Sequence, residues 1–496
     1  MFIAAHEWSQ PRTGSDVALE KSVSDLSLAD PGGGLTRLYR QLADRRPDEA
    51  TRCEAAAFLL QQLACVESAT CDLPETTEDL GLWMKGNVQR VAARYSIYLE
   101  ERKAGAPRRY FTNRAHALYF LRTAAPTKLV DGAWLYGLVA HWRNPKFSDL
   151  VRTYIEELGE GMADKNHVVL YRNLLSRHGL DAVDDLDDSF YVQGLIQLAL
   201  GWNAEKFLPE IIGFNLGYEQ LPLHLLITAY ELNELGLDPY YFTLHVTVDN
   251  SNAGHARRAC QAVLDTLPRL GDAGDYWRRV RRGSKLGDVG AGTNALIDGF
   301  DIEHEVVRIF KNKSSAGRGA HSDYCRVAGL SVNQWLADAE RVPAFLAALR
   351  EAGWIGLGQP VEQSRFWGLL QGTRAEMFGV FSSYELQVIH DWLRGPSSVD
   401  GRVYTQAATQ PETGRTRSFR ATVRLASAKA SGVQTLGEAD VDLLDTDLQA
   451  LTAQLGQLDE GQQLRLLVDA MSPAQHWGPA GLHATRLFWE MIHERA

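Results

Sequence analysis

Apolar residues return every three or four positions along most of the chain from residue 34 onwards. The pattern is clear in LTRLYRQLADR, ATRCEAAAFLLQQLACVES and DLGLWMKGNVQRVAARYSIYLEERK, and strand-like alternation is nearly absent. Such periodicity, in segments rich in Leu and Ala, predicts amphipathic helices. We therefore expect an all-α protein, in which a metal or ligand site would be built in the core from side chains on facing helices.

Breaks in this pattern indicate how the chain is organised. The first residues are polar and end in PGGG, Pro107 interrupts the helical pattern, and GPSSVDGRVYTQAATQPETGRTRS has the composition of a linker or surface loop. One short strand is expected in FRATVRLASA, beyond that loop. The predicted regions are a flexible lead (1–33), an N-terminal helical region (34–105), a main helical domain (106–395), a linker or surface loop (396–420) and a small C-terminal region (421–496).

Size and charge narrow the range of partners. A chain of 496 residues with 45% hydrophobic residues is long enough for two or three packed units with sizeable cores. The 62 Asp and Glu against 51 Lys and Arg give a net charge of -11, which opposes binding to nucleic acid or to anionic membranes. We therefore expect a small-molecule or protein partner, and the favoured partner is a small-molecule substrate.

Cysteine usage and the N-terminus bear on the compartment. The five cysteines are scattered and form no CxxC pair, as is usual for reduced thiols. The segment MFIAAHEWSQ lacks the apolar run of a signal peptide, and no stretch of about eighteen apolar residues occurs. We expect a soluble, cytoplasmic protein.

The segment HVTVDNSNAGHA carries the first candidate ligands. His245 and Asp249 are four residues apart, so on a helix they share one face. His255 lies ten residues after His245 and cannot join that face on a regular helix. The intervening NSNAG favours an irregularity that would turn His255 inward. In the alternative, Gly254 ends one helix and His255 caps the next.

A second cluster lies in YIEELGEGMADKNH. Glu157 and His167 are separated by ten residues that include Gly159 and Gly161, which predicts a helix, a turn and a second helix with both side chains directed inward. Glu156 and Glu160 compete for the carboxylate role, and ideal helical spacing aligns Glu156 better with His167. Composition does not choose among the three acids.

The third candidate is Glu219, an acid among apolar residues in GFNLGYEQLPLHLL. A charge there is costly unless it is paired or bound to a metal. Glu210 lies nine residues earlier on the opposite helical face, so at most one of the two acids should point into the core. Three His and three carboxylates on separate core helices suit iron or manganese. A dinuclear site is the simplest interpretation, with a mononuclear site or no metal as alternatives.

At these residues the chain resembles the haem-oxygenase-like diiron oxidase and oxygenase family, often labelled iron-containing redox enzymes. ELGEGMADKNH resembles the family's E-x-G…H element, LGYEQL its central Glu helix and HVTVDNSNAGH its closing H-x3-D…H element. The resemblance covers residues 108–265 well and extends more weakly to about 395. It implies a haem-oxygenase-like helical bundle with additional helical N- and C-terminal regions. The metal ligands it implies are Glu157, His167, Glu219, His245, Asp249 and His255.

The resemblance also implies a chemistry. Members bind two Fe(II) ions, for which Mn is an alternative in this chain, and use O2 as co-substrate through a peroxo-diferric intermediate. They oxidise small metabolites derived from amino acids, amines or fatty acids by N-oxygenation, desaturation or oxidative C–C cleavage.

Two positions depart from the common pattern. Many members place the last His where this chain has Asn252, and some carry an additional upstream carboxylate, for which Asp131 is the candidate, with a helix N-cap as its alternative role. A homodimer is expected. The competing functions are a metal-free helical enzyme on the same scaffold and a non-catalytic helical binding protein.

Overall fold

The fold is that of a computed structural model. It describes residues 34–44, 46–181, 185–248, 254–371, 375–395 and 444–493. The predicted lead (1–33), the predicted linker (396–420), the predicted strand FRATVRLASA, Asp249 and Asn252 lie outside the described residues.

The described chain is helical throughout, which confirms the all-α prediction. The only strands in that part of the chain are Arg326–Val327 and Leu330–Ser331, which pair antiparallel. The α-helices, numbered α1 to α22 in chain order, are Gly34–Ala43, Glu49–Cys65, Leu80–Lys103, Arg114–Thr123, Ala125–Lys128, Ser148–Glu157, His167–Ser176, Val192–Trp202, Ala204–Tyr218, Leu223–Glu234, Tyr240–Val248, His255–Thr266, Ala273–Ser284, Thr293–Asp298, Ile302–Gly317, Val332–Trp335, Val342–Glu351, Arg365–Gln371, Ser383–Arg394, Thr446–Leu455, Glu460–Ala470 and Pro479–His493.

Short 3-10 helices connect several of these elements. They are Thr77–Asp79, Ala133–His141, Pro145–Phe147, Gly159–Gly161, Asp188–Tyr191, Lys285–Asp288, Ala339–Arg341 and Val361–Gln363. Among the described residues, no helix is both long and apolar enough to cross a membrane.

The buried apolar residues form two clusters. The first includes side chains from α1, α2, α3, α6, α8, α9, α12 and α13 together with the C-terminal helices α20, α21 and α22. The second includes side chains from α4, α7, α10, α11, α14, α15, α17, α18 and α19. The predicted main domain (106–395) contributes to both clusters. The two clusters therefore do not coincide with the predicted regions, and the boundaries of those regions stay predictions.

Helix α9 packs very closely on α13. A Cβ added to Gly213 would lie 1.8 Å from the carbonyl oxygen of Val280, so this approach requires glycine. Glu210 is buried on the same helix, where Arg279 and Arg282 bind its carboxylate.

The expectation that only one of Glu210 and Glu219 points into the core is wrong, since both are buried. Glu210 lies on the face that α13 covers, and Glu219 is the C-cap residue of α9 and faces His255. Both sides of the helix are covered, so both acids are buried.

Candidate metal centre

Glu157 and His167 are brought together by the turn predicted from the two glycines. Helix α6 ends at Glu157, Gly159 and Gly161 have positive φ, and α7 begins at His167. The side chain of Asn166 caps α7 by accepting a hydrogen bond from the N–H of Val169. Both candidate ligands thus stand at helix ends that face each other.

The structure distinguishes the three competing acids. Glu157 is buried, and its Oε2 lies 2.5 Å from Nδ1 of His167. Glu156 lies on the far side of His255, where Arg152 and Arg258 bind it, and Glu160 lies 4.0 Å from the ammonium of Lys165. The spacing that aligned Glu156 with His167 does not apply, because the helix ends before the glycines.

Asp131, Glu157, His167 and His245 form a first group of buried ligand atoms, all within 4.8 Å of one another. Oδ2 of Asp131 lies 3.2 Å from Nε2 of His245 and 3.8 Å from Nδ1 of His167. The N-cap role considered for Asp131 is not observed, since Gly132, with φ 81°, caps the following 3-10 helix.

Glu157, Glu219 and His255 form a second group, whose ligand atoms also lie within 4.8 Å of one another. Nδ1 of His255 lies 3.2 Å from Oε1 of Glu157 and 3.0 Å from Oε2 of Glu219. His255 begins α12, and its N-cap residue Gly254 has an extended backbone, so α12 is not a regular continuation of α11. His255 therefore belongs to a new helix, which frees it from the angle that a continuous helix would impose.

Glu157 belongs to both groups. Its Oε2 faces His167 in the first group, and its Oε1 faces His255 in the second. Five of the six predicted ligands are thus brought together, and Asp131 joins them. The sixth, Asp249, lies outside the described residues. One carboxylate between two ligand sets is the arrangement expected of a dinuclear centre.

The carboxylates are held in their charged form. Burial alone would raise the pKa of Glu157, but the facing imidazoles of His167 and His255 outweigh it and hold that pKa well below its ordinary value. Burial likewise opposes ionisation of Asp131, and Lys128 and His245 hold its pKa below the usual range. Buried anions that converge on one another require a cation.

An orphaned atom points to the same conclusion. Oδ1 of Asp131 is buried and has no hydrogen-bond partner among the described residues. Nδ1 of His167 faces Oε2 of Glu157, 2.5 Å away, and lies 3.8 Å from Oδ2 of Asp131. Imidazole nitrogens and carboxylate oxygens are ligands that iron and manganese accept, so this donor set fits a metal centre.

Several supporting residues were not found from the sequence. Tyr241 donates a 2.5 Å hydrogen bond to Oδ2 of Asp131, and its carbonyl oxygen lies 2.8 Å from Nδ1 of His245. Tyr241 precedes His245 by one helical turn, so the spacing could have revealed it.

Other supporting residues come from distant parts of the chain, where the sequence offers no such signal. Arg258 supports Glu156. His476, in the C-terminal segment MSPAQHW, is buried against Asn166, which directly precedes His167 in the chain.

Comparison with known proteins agrees with this geometry. Residues 118–288 match the model of a family described as iron-containing redox enzymes. The match includes every described residue of the two groups. Searches of curated proteins and of solved structures returned no match.

Proposed function

Because residues 118–288 match the iron-containing redox enzymes, we propose that this protein is an O2-dependent non-haem diiron oxidase or oxygenase that acts on a small metabolite. The observation that carries the proposal is Glu157, whose two oxygens face two separate sets of buried ligands.

The two groups define the ligands of each ion. Asp131, His167 and His245 would hold one iron, Glu219 and His255 would hold the other, and Glu157 would bridge them. Asp249, one turn after His245 in sequence, is proposed as a further ligand on the strength of the resemblance. When bound, two ferrous ions supply the electrons that reduce O2.

The surrounding residues orient these ligands. Nδ1 of His245 donates to the carbonyl oxygen of Tyr241, so Nε2 carries the lone pair of the ring and faces Oδ2 of Asp131, 3.2 Å away. The Tyr241 hydroxyl fixes the orientation of Asp131. Nε2 of His255 lies 3.0 Å from Oε2 of Glu156, so this carboxylate fixes the imidazole from behind. Such outer partners set the tautomer and the basicity of metal ligands.

Burial of the ligands excludes bulk water, and oxygen chemistry at a metal centre requires this exclusion. Asp131, Glu157, His167, Glu219 and His255 are each at most 3% exposed, and His245 is 7% exposed. Bulk water is therefore kept from the ligands, which strengthens electrostatic interactions and limits side reactions. We propose N-oxygenation, desaturation or oxidative C–C cleavage as the reaction, in line with the resemblance.

Anaerobic loading with Fe(II) followed by measured O2 uptake tests the proposal. Two ferrous ions that act together reduce O2 by two electrons, so we expect one O2 consumed for every two Fe(II) bound in the first turnover. Glu157→Gln should abolish this uptake, and Glu160→Gln, from the same turn, should not change it. The proposal would be contradicted if the unmodified protein failed to retain iron, or if the two variants took up O2 equally.

A further inference from the structure

Lys128 places a positive charge close to the metal centre. It ends α5, is mostly buried and lies three residues before Asp131. Its ammonium donates a 3.3 Å hydrogen bond to the hydroxyl of Tyr218 and lies 5.4 Å and 5.8 Å from the rings of Tyr218 and Tyr241. Among the described residues, no carboxylate forms an ion pair with it. The carboxylates of Asp131 and Glu157 stabilise this charge from beyond ion-pair distance. Once metal ions neutralise them, as the proposed function requires, a mostly buried ammonium would be left without an acid partner, which is unfavourable.

Tyr218 adds a second donor. Its hydroxyl oxygen accepts hydrogen bonds from Lys128 and from the amide nitrogen of Gln197, each at 3.3 Å. With both lone pairs engaged, the O–H itself is left to donate, and no acceptor for it occurs in the described part of the chain. Tyr218 and Lys128 thus direct unused donors from neighbouring positions.

His224 lies near the same point. It is mostly buried and has no hydrogen bond to any described residue. Burial and the nearby charge of Lys128 lower the pKa of His224 to about 4, so the ring is neutral near pH 7 and carries one N–H donor. The three side chains offer donors and a positive charge, and none of them is an acid.

Charge balance argues that Lys128 does not merely neutralise the metal ligands. On the proposed function, two divalent ions carry four positive charges, and Asp131, Glu157, Glu219 and the proposed ligand Asp249 carry four negative charges. The loaded centre is then neutral, and Arg258 balances Glu156. None of these groups then compensates the charge of Lys128, which can therefore pair with a bound anion.

We propose that Lys128, Tyr218 and His224 form the subsite that binds the carboxylate of the substrate. Lys128 would form the ion pair and Tyr218 would donate a second, charge-assisted hydrogen bond. Leu129, which follows Lys128 in the chain, and Leu221, three residues before His224, are partly buried apolar residues packed on the second cluster. The substrate is therefore a carboxylic or amino acid, held by its carboxylate close to Asp131. A simple amine would meet a like charge at Lys128.

Binding, measured separately from turnover, tests this subsite. The protein is loaded with Zn(II), which does not reduce O2, and titrated calorimetrically with acetate, butanoate, hexanoate and octanoate and with the matching primary amides. We expect the best carboxylate to bind at least tenfold more tightly than its amide. Lys128→Met should remove at least tenfold of the carboxylate affinity and leave the amide unchanged, and Lys128→Arg should restore part of it.

The matched control is Lys206→Met. Lys206 also lies over an aromatic ring, 5.4 Å from that of Phe207, but it is exposed and distant in sequence from the ligands. The Lys206→Met variant should bind the carboxylates as tightly as the unmodified protein does. The subsite is refuted if no carboxylate binds more tightly than its amide, or if Lys128→Met and Lys206→Met behave alike.

The metal content of each variant separates this proposal from the one on which it rests. Lys128→Met should retain the full complement of zinc. If the protein takes up no metal, the proposed diiron function fails, and the same titrations on the metal-free chain still decide the role of Lys128. If metal binds normally but Lys128→Met changes nothing, the subsite fails and the metal centre stands.

Discussion

Glu157→Gln should remove both metal ions, because Glu157 is the ligand that the two groups share. In the first group the substitution leaves Asp131 as the only described acid, and in the second it leaves only Glu219. Gln keeps the shape of the side chain but removes the negative charge and replaces one of the two oxygens that face His167 and His255. Asp131→Asn and Glu219→Gln each affect one group alone.

The magnitude follows from the position of these atoms. Changes to residues that only support metal ligands reduce affinity by about 10- to 100-fold, so loss of a direct carboxylate ligand should reduce it by at least about 100-fold at each ion. At a free Fe(II) concentration about ten times the original dissociation constant, occupancy should then fall from about nine-tenths to about one-tenth.

Anaerobic equilibrium dialysis with metal analysis measures this directly. The unmodified protein and Glu160→Gln should bind two irons per chain, Asp131→Asn and Glu219→Gln one each, and Glu157→Gln almost none. Circular dichroism before and after dialysis controls for folding. Two irons retained by Glu157→Gln would refute the shared-ligand reasoning, and so would loss of both ions from Asp131→Asn.

Further predictions concern the support of the centre. Tyr241→Phe removes the hydrogen bond to Asp131 and should weaken iron binding by about 10- to 100-fold. Tyr240→Phe is the control, because the Tyr240 hydroxyl lies near the surface against the carbonyl oxygen of Asp164, and it should not weaken iron binding. Equal iron contents of the two variants after dialysis would contradict this role of Tyr241. Gly161→Ala adds a Cβ 2.4 Å from the carbonyl oxygen of Leu482 at φ +80°, and should lower the free energy of unfolding by about 2 kcal/mol in urea titrations, against little change for the open Gly287→Ala. In the metal-free protein, burial opposes ionisation of Glu156, but His255, Arg152 and Arg258 lower its pKa to about 2, so its contribution is present above about pH 4.5 and is lost as the pH falls towards 2. Glu156→Gln should therefore lower the free energy of unfolding by up to about 3 kcal/mol at pH 6 and have no effect near pH 2, and a difference that persists in acid would contradict this electrostatic cause.

Local periodicity was sufficient for the fold class, whereas the full set of candidate ligands came from the family resemblance. The helical pattern gave the all-α structure, and the glycines after Glu157 gave the turn that brings it to His167. Such features are encoded within about ten residues of sequence, where helical geometry and glycine conformation decide the outcome.

Long-range contacts could not be predicted in this way. The choice of Glu157 over Glu156 depends on which nitrogen of His255, about a hundred residues later, each acid faces. Glu157 faces Nδ1, whereas Glu156 faces Nε2 and pairs with Arg258. Lys128 meets Tyr218 only in the folded chain.

Burial of a charge was also underestimated. Glu305, which lies among charged residues in DIEHEVVR, is buried because Arg308 and Tyr384 bind its carboxylate. Glu210 is buried for the same kind of reason, since Arg279 and Arg282 pair with it. In both cases at least one partner lies far along the chain, and a single sequence does not show which distant cation will meet a given acid.

An anomalous-difference map of crystals loaded anaerobically with Fe(II) would show directly whether Glu157 bridges two metal ions. We expect two iron peaks about 3.5–4 Å apart, one on each side of the Glu157 carboxylate. Asp131, His167 and His245 should surround one peak, and Glu219 and His255 the other. A single peak, or no peak at Glu157, would contradict this bridging role.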